Sequence, residues 1–430
     1  YQCTYLVSRA KISNRSSKTV LGFTSSPRRV ENMRFKITFF LALLLVPFKV
    51  SSTTTDQETF STDTHVNFRL RYEDVSVGEN STQDAQALTL RSRINFKFGQ
   101  ENGFSGLVEI DQISVLGIDN YNDTINGKSS YAKIVDPAGS DLNQAWIGYK
   151  SSSTQLKFGR QRILLDNQRF IGGVGFRQNE QTYDAFSLKY QGPQDLSVYY
   201  AHIDQVNRIF GDKSVNGKHQ NSTNLLNIKA PDSPIGKFTA YAYLINNKQV
   251  SRFSTNTYGL NLTHSLGPLD YIAEYAYQKS AGNNLLDYHA SYKRAVVSFT
   301  ETTGVFSIGY ENLGSDKALA SFITPLATLH KFQGWTDQFL VTPKEGISDL
   351  FLSFTSTIKG VKIKTMMHQF KSDRLAQGGF SDLGSEFALS GTKKLGRFNV
   401  GVKYASYKAG DLIFNKVDTE KIWLTMTIQI

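Results

Sequence analysis

The sequence predicts an all-β fold, a transmembrane antiparallel β-barrel of about 18 strands, on three observations. Segments of roughly 10–15 residues alternate apolar and polar side chains along most of the chain, the period of a strand with two unlike faces. The links between them alternate short and long, as a barrel with tight turns at one end and long loops at the other requires. A short apolar run near the start has the form of an export signal. No later run is apolar for long enough to cross a bilayer as a helix, and the mean hydropathy is −0.32.

Taken in order, residues 1–32 are basic, Ser-rich and aperiodic, and read as an upstream, non-native extension; a long targeting segment is the alternative. Met33-Arg34-Phe35-Lys36 then opens a cationic start, Ile37 to Val46 form an apolar core, and small residues follow Pro47. Residues 33–52 therefore read as a signal peptide, with Val50 and Ser52 at the −3 and −1 positions of cleavage. Residues 53–430 are left for the barrel. Cleavage at 52 would remove nine Lys/Arg and one acid, Glu31, lowering the formal net charge from +11 to +3. The basic pI is thus a property of the leader and gives no argument for nucleic acid. Cys3, the one cysteine, would go too, so no disulfide framework is available.

The predicted strands run 62–76, 84–99, 103–117, 141–151, 154–162, 181–192, 194–208, 221–230, 236–247, 253–265, 268–280, 285–300, 303–313, 348–358, 361–373, 382–394, 396–408 and 417–430. Links after the even-numbered strands are tight, as at Gly99–Gly103, Ser265–Pro268 and Ile358–Val361. The others are mostly long, notably 117–141, 161–181, 209–220 and 314–347. An even strand count with this alternation puts both termini at the short-turn end. A lipid-exposed sheet must also close, because an open edge leaves backbone groups unpaired in hydrocarbon. Facing residues fit: Leu88, Leu90, Ile94, Phe96 and Phe98 oppose Thr89, Arg91, Arg93, Asn95 and Lys97. The first group would face lipid and the second the lumen. Adjacent Lys293 and Arg294 cannot both point inward, so one sits at the rim or a bulge intervenes.

The most distinctive stretch is Leu156 to Tyr190. Its ends alternate like strands, while its middle is dense in Arg, Gln, Asn and Gly. As the third external loop, folded inward, it would bring Arg160, Arg162, Arg169 and Arg177 into the lumen. Asp166, Asn179 and Glu180 would orient those guanidiniums. A solvated loop with ordinary ion pairs is the alternative. Strand positions placed inward add Arg69, Arg71, Arg91, Arg93, Lys97, Lys157, Lys189, Lys362, Lys364 and Lys403, partly offset by Glu73, Glu109 and Asp111. Such a wall would attract anions, although lumen arginines also pair with acids structurally. The long link 314–347, with Phe332, Trp335 and Phe339, would lie over or in the mouth.

Gly159-Arg160-Gln161, then DNQRFIG at 166–172 and FRQNEQTYDA at 176–185, resemble the alginate-export-type family of outer-membrane porins. The resemblance implies an 18-stranded barrel like other specific porins, with the third external loop inside and an electropositive constriction that passes an acidic polysaccharide. On that resemblance Arg91, Arg93, Arg160, Arg162, Arg169 and Arg177 contribute to an anion path. The expected function is an anion-passing channel, with a general anion or nutrient porin as the alternative. A barrel used as an outer-membrane enzyme or surface-binding protein is the second. Expected partners are outer-membrane lipid and an anionic saccharide or small anion; no nucleic acid, cofactor or metal is expected, and the oligomeric state is left open.

Enzyme motifs are weak. Seven scattered His show no metal spacing, and His202 beside Asp204 reads as a solvated pair. Gly172–Gly175 lacks the strand-then-helix setting of a phosphate cradle. Asn-X-Ser/Thr at Asn80, Asn122 and Asn221 would carry no glycan behind a bacterial outer membrane.

Overall fold

The computed structural model describes residues 61–79, 82–100 and 102–430; the expectations for 1–52 lie outside them. Eighteen strands form one sheet in chain order. They are β1 Ser61–Val77, β2 Ala85–Gly99, β3 Gly103–Asn120, β4 Gly139–Lys150, β5 Thr154–Gln161, β6 Thr182–Gln191, β7 Ser197–Asn207, β8 Lys218–Lys229 and β9 Lys237–Ile245. There follow β10 Thr255–Leu266, β11 Leu269–Ser280, β12 His289–Glu301, β13 Gly304–Leu313, β14 Ile347–Ile358, β15 Val361–Lys371, β16 Asp382–Leu395, β17 Phe398–Lys408 and β18 Thr419–Gln429. Each predicted strand is present, with ends displaced by up to four residues.

Closure is made by β18 on β1, in register from Asn67↔Gln429 to Val77↔Thr419. Val66 and Ile430 complete the seam by exchanging backbone hydrogen bonds of 2.9 and 2.8 Å. No sheet edge is left to hydrocarbon, the condition that lets strands cross a membrane. The tight turns follow turn chemistry. Lys359 and Gly360, both at positive φ (49° and 74°), make the two-residue turn between β14 and β15, a twist that suits adjoining antiparallel strands.

Alternation sorts the faces as read from the sequence on β2, and β18 alternates in the same way. Ile94, Phe96, Ile422 and Leu424 are exposed, while Arg91, Arg93 and Trp423 are buried. The ladders of β12 on both sides run unbroken through Lys293 and Arg294. No bulge is needed, because Lys293 is exposed near the long-loop end and Arg294 lies on the opposite face. Bulges do occur at Glu109/Ile110 and Asp184/Ala185, next to carboxylates that matter below.

The inner face is not uniformly polar, which departs from the expectation of a polar lumen wall. Ala185, Ala201, Ile203, Leu225, Tyr241 and Tyr243 on β6–β9 are buried, opposite the exposed Phe186, Tyr200 and Leu226. They pack with Ile163, Phe170, Ile171, Phe322 and Leu326 from two long connections. Apolar residues on both faces of these strands are thus exposed on one side and packed against side chains of the two connections on the other.

Candidate functional site

Two connections supply the site: residues 162–181 after β5, and 322–346 before β14. They meet directly. Gly172 N donates to Leu326 O at 2.8 Å and Thr328 N to Gln168 O at 3.0 Å, with a parallel bridge between Ile171 and Leu326. A Cβ on Gly172 would lie 2.2 Å from Thr328 Oγ1, so only glycine allows this approach. Val174 is held at φ +49°, costly for a β-branched residue, with its N–H on Thr328 Oγ1 at 3.1 Å. Phe170 anchors the segment against Tyr241 and Tyr292, at ring separations of 5.1 and 5.2 Å.

The first connection binds the arginine wall of β1 through its carbonyls. Arg69 donates to Gly175 O at 2.8 Å, to Gln178 Oε1 at 2.9 Å and to Arg177 O. None of these acceptors is a carboxylate. Arg71 donates to Phe176 O at 2.5 Å, lies 4.4 Å from the Phe176 ring and stands 3.6 Å from Asp136. The second connection does the converse: Glu386 on β16 accepts from the backbone N–H of Trp335 and, at 3.0 Å, of Thr336.

A second cluster centres on Glu180. Arg93 grips Asp111 with two bonds of 2.6 Å and reaches Glu180 at 2.8 Å. Arg162 joins Glu180 and Glu109 at 2.5 Å each. Arg91 donates to Asn67 at 2.9 Å and lies 3.7 Å from Glu180. Burial works against the Glu180 charge, but Arg93 and Arg162 hold its carboxyl down at about 2.

A third cluster ties both connections to the seam. Arg177 bonds Glu73 on β1 at 2.9 Å and Asp337 at 3.1 Å. Asp337 also takes Lys421 Nζ at 3.2 Å and His330 Nδ1 at 2.7 Å. On its other side His330 meets Lys403 Nζ at 2.6 Å and stacks on Phe176 at 3.6 Å. Burial, aided by Lys403 and Arg177, pushes His330 down to about 3 despite Asp337, so the imidazole is neutral at pH 7. Burial opposes the Asp337 charge, yet His330, Lys421 and Arg177 keep its carboxyl well below the usual carboxylate range. The Lys403 ammonium sits 3.8 Å from the Trp335 ring centroid and 4.6 Å from that of Phe176.

The remaining sequence candidates lie apart. Arg169 is fully buried on Glu311 of β13 at 2.8 Å, with Thr324 and Gln333 taking its other nitrogens. Arg160 makes a two-pronged bond to Asp184, 2.7 and 3.0 Å. Asp166 pairs with no arginine; it takes Lys229 at 3.0 Å and Asn227 at 2.7 Å. Asn179 donates to Ile209 O at 3.2 Å. His202 and Asp204 stand 3.4 Å apart; Asp204 is well exposed, while His202 is half-buried and also meets Asn224 Oδ1 at 3.0 Å. Sequence reasoning missed Asp136, Asp184, Glu311, His330, Asp337 and Lys421, which complete the pairs.

Most of these guanidiniums are therefore engaged by buried carboxylates, an arrangement in which removal of either partner is costly. Cations without a carboxylate bond among the described residues are found elsewhere on the interior. Lys362 and Lys364 share the inner face of β15, and Lys331 on the second connection lies within electrostatic reach of Lys364. Lys331 Nζ donates only to Asn167 O, at 3.0 Å. Among the described residues no group of three His, Cys, Asp or Glu could hold a metal ion.

Comparison with known proteins agrees with this architecture. OccAB4 of Acinetobacter baumannii superposes with a TM-score of 0.67 at 12% identity, over 88% of this chain and 100% of that one. OpdL of Pseudomonas aeruginosa gives 0.64 at 13% identity, over 86% and 98%. OpdK of the same organism, solved with vanillate, gives 0.63 at 12%, again over 86% and 98%. At such identities the likeness establishes the fold alone. No curated protein matches the chain. The profile of a family described as alginate export matches residues 65–279.

Proposed function

The chain belongs to the alginate export family, and from that premise we propose that it passes acidic oligo- or polysaccharides through an interior narrowed by residues 162–181. Family and fold together make it an outer-membrane channel rather than an enzyme. The finer reading assigns the arginines of the two connections to the shape and polarity of the path. Arg69, Arg71, Arg91, Arg93, Arg162 and Arg177 fix the first connection on the β1–β3 wall, while Arg160 and Arg169 tie its flanks to β6 and β13. A signal peptide at residues 33–52 belongs to the same proposal, and N-terminal sequencing of the mature protein is expected to begin at Thr53.

One observation carries the preference for anions. Glu73, Glu109, Asp111, Glu180 and Glu311 are engaged by arginines, whereas Lys331, Lys362 and Lys364 face the interior with no carboxylate bond among the described residues. Inside a wall of low dielectric, uncompensated cations attract anions over several ångströms. A carboxylated sugar chain would exchange bonds with successive ammoniums as it moves.

A general porin for small anions is the second reading. OpdK, one of the fold neighbours, was solved with vanillate, a small carboxylate.

Single-channel recording with a mannuronate trisaccharide tests the choice. The sugar is expected to interrupt the current, and Lys362→Gln with Lys364→Gln to raise its half-blocking concentration about tenfold. Absence of any block by the sugar, with conductance intact, would leave only the small-anion reading.

A further inference from the structure

At the long-loop end, which is external in outer-membrane barrels, three connections surround a cavity that none of the interior arginines lines. They are 322–346, 372–381 before β16 and 409–418 before β18. The cavity measures about 540 Å³, and its wall includes Lys344, Glu345, Gln377, Ile413, Phe414 and Lys416. This volume lies in the range of small-molecule sites, roughly 300–1,000 Å³. No sequence signal marks it, because the three contributing segments lie tens of residues apart and share no motif.

The lining has two chemistries. Lys416 is half-buried; its Nζ donates to Gln338 O at 2.6 Å and lies 5.0 Å from the Phe339 ring centroid. It makes no bond to a carboxylate among the described residues, and burial lowers its pKa. An ammonium with two N–H donors left over, part-desolvated and aimed at a cavity, gains by meeting an anion. Lys344 is 67% exposed, with Nζ 3.8 Å from Glu345, so it is free to swing toward a ligand. Against these stand the apolar faces of Phe414 and Ile413, with Val341 on the rim 66% exposed.

We propose that this cavity is an external docking subsite for one carboxylated sugar residue at the end of an acidic oligosaccharide. The inference rests on the acidic-saccharide reading above and adds a place at the external mouth where such a chain engages. The ring's C–H face covers Phe414 and Ile413, the carboxylate takes Lys416 and Lys344, and the hydroxyls donate to Glu345 and meet the Gln377 amide. A neutral sugar leaves Lys416 unanswered. A compact inorganic anion leaves the apolar wall bare and meets the Glu345 charge.

The test is asymmetric block in planar bilayers, with the mannuronate trisaccharide added to one side at a time and neutral mannotriose as control. Lys416→Met is expected to raise the half-blocking concentration from the long-loop side about tenfold, and Lys344→Gln a few-fold. Block from the short-turn side is expected to persist, since that route does not begin at the cavity. Lys344→Gln removes an exposed side chain and so keeps the test alive should Lys416→Met fail to fold, which heat-modifiable gel mobility reports. An unchanged half-blocking concentration from the long-loop side in both variants overturns the subsite alone. Equal block by mannotriose does the same. No block of the unsubstituted protein from either side overturns the acidic-saccharide reading and the subsite with it.

Discussion

Arg69 on β1 and Arg91 on β2 stand directly opposite each other in the ladder, two like charges at a position where cross-strand repulsion is strongest. Among the described residues neither is bound within 3.5 Å to a carboxylate: Arg69 rests on the carbonyls of Gly175 and Arg177 and on Gln178, and Arg91 on Asn67. A fold optimised only for stability would not keep this pair. On the proposed anion path the pair supplies positive charge, and carbonyls of the first connection dock on its Arg69 member.

Arg69→Gln should therefore separate the two roles. Repulsion with Arg91 is relieved, while three bonds to the first connection are lost. The anion-to-cation permeability ratio is expected to fall by roughly twofold or more, with current fluctuations increasing as the connection loosens. Reversal potentials and open-channel noise check both.

Arg177→Met leaves Glu73 and Asp337 buried without their shared partner. The expected cost is about 3–5 kcal/mol, the penalty of stranding buried charge. Adding Glu73→Gln and Asp337→Asn should recover part of it. Urea midpoints of the refolded protein in detergent measure both steps.

Gly172→Ala tests whether the two connections truly depend on each other. The added methyl would sit 2.2 Å from Thr328 Oγ1 and 2.9 Å from Thr328 N. Overpacking of this kind costs about 1–3 kcal/mol. The barrel should still form, with the loss visible as proteolytic sensitivity within 162–181 and 322–346.

Acid should loosen these connections in two stages. His330, ordinarily near 6.5, is held at about 3 in the fold, so the unfolded state binds its proton more readily. Its contribution is complete above about pH 6.5 and is lost progressively as pH falls toward 3. Glu180, lowered from 4.5 to about 2, adds a second loss below pH 4.5. Stability should stay level from pH 7 to 9 with respect to both groups. His330→Gln should remove the upper stage and spare the lower, as thermal unfolding across pH would report.

The strands were legible because lipid imposes an apolar residue at every second position, and turns such as Lys359-Gly360 punctuate them. The arginines of 160–177 were legible as one Arg-rich stretch, but the structure distributes them: Arg162 on Glu180, Arg177 on Glu73 and Asp337, Arg160 on Asp184 and Arg169 on Glu311. Their partners were not legible. Arg177 meets Glu73 across 104 residues and Asp337 across 160, and no period or motif links such positions. Asp166 was read as orienting an arginine because it lies near several in sequence; its left-handed backbone (φ +51°) instead turns it to Lys229 and Asn227. The apolar inner faces of β7–β9 were hidden for another reason. Ala201, Ile203 and Leu225 follow ordinary strand composition, and only the packed connections show why they turn inward.

The most direct measurement is the reversal potential of the purified protein in a planar bilayer under a potassium chloride gradient. Uncompensated Lys331, Lys362 and Lys364, with Arg69 opposite Arg91, lead us to expect a potential on the chloride side of zero. A potential on the potassium side, or the absence of any conductance, would contradict the anion-channel account.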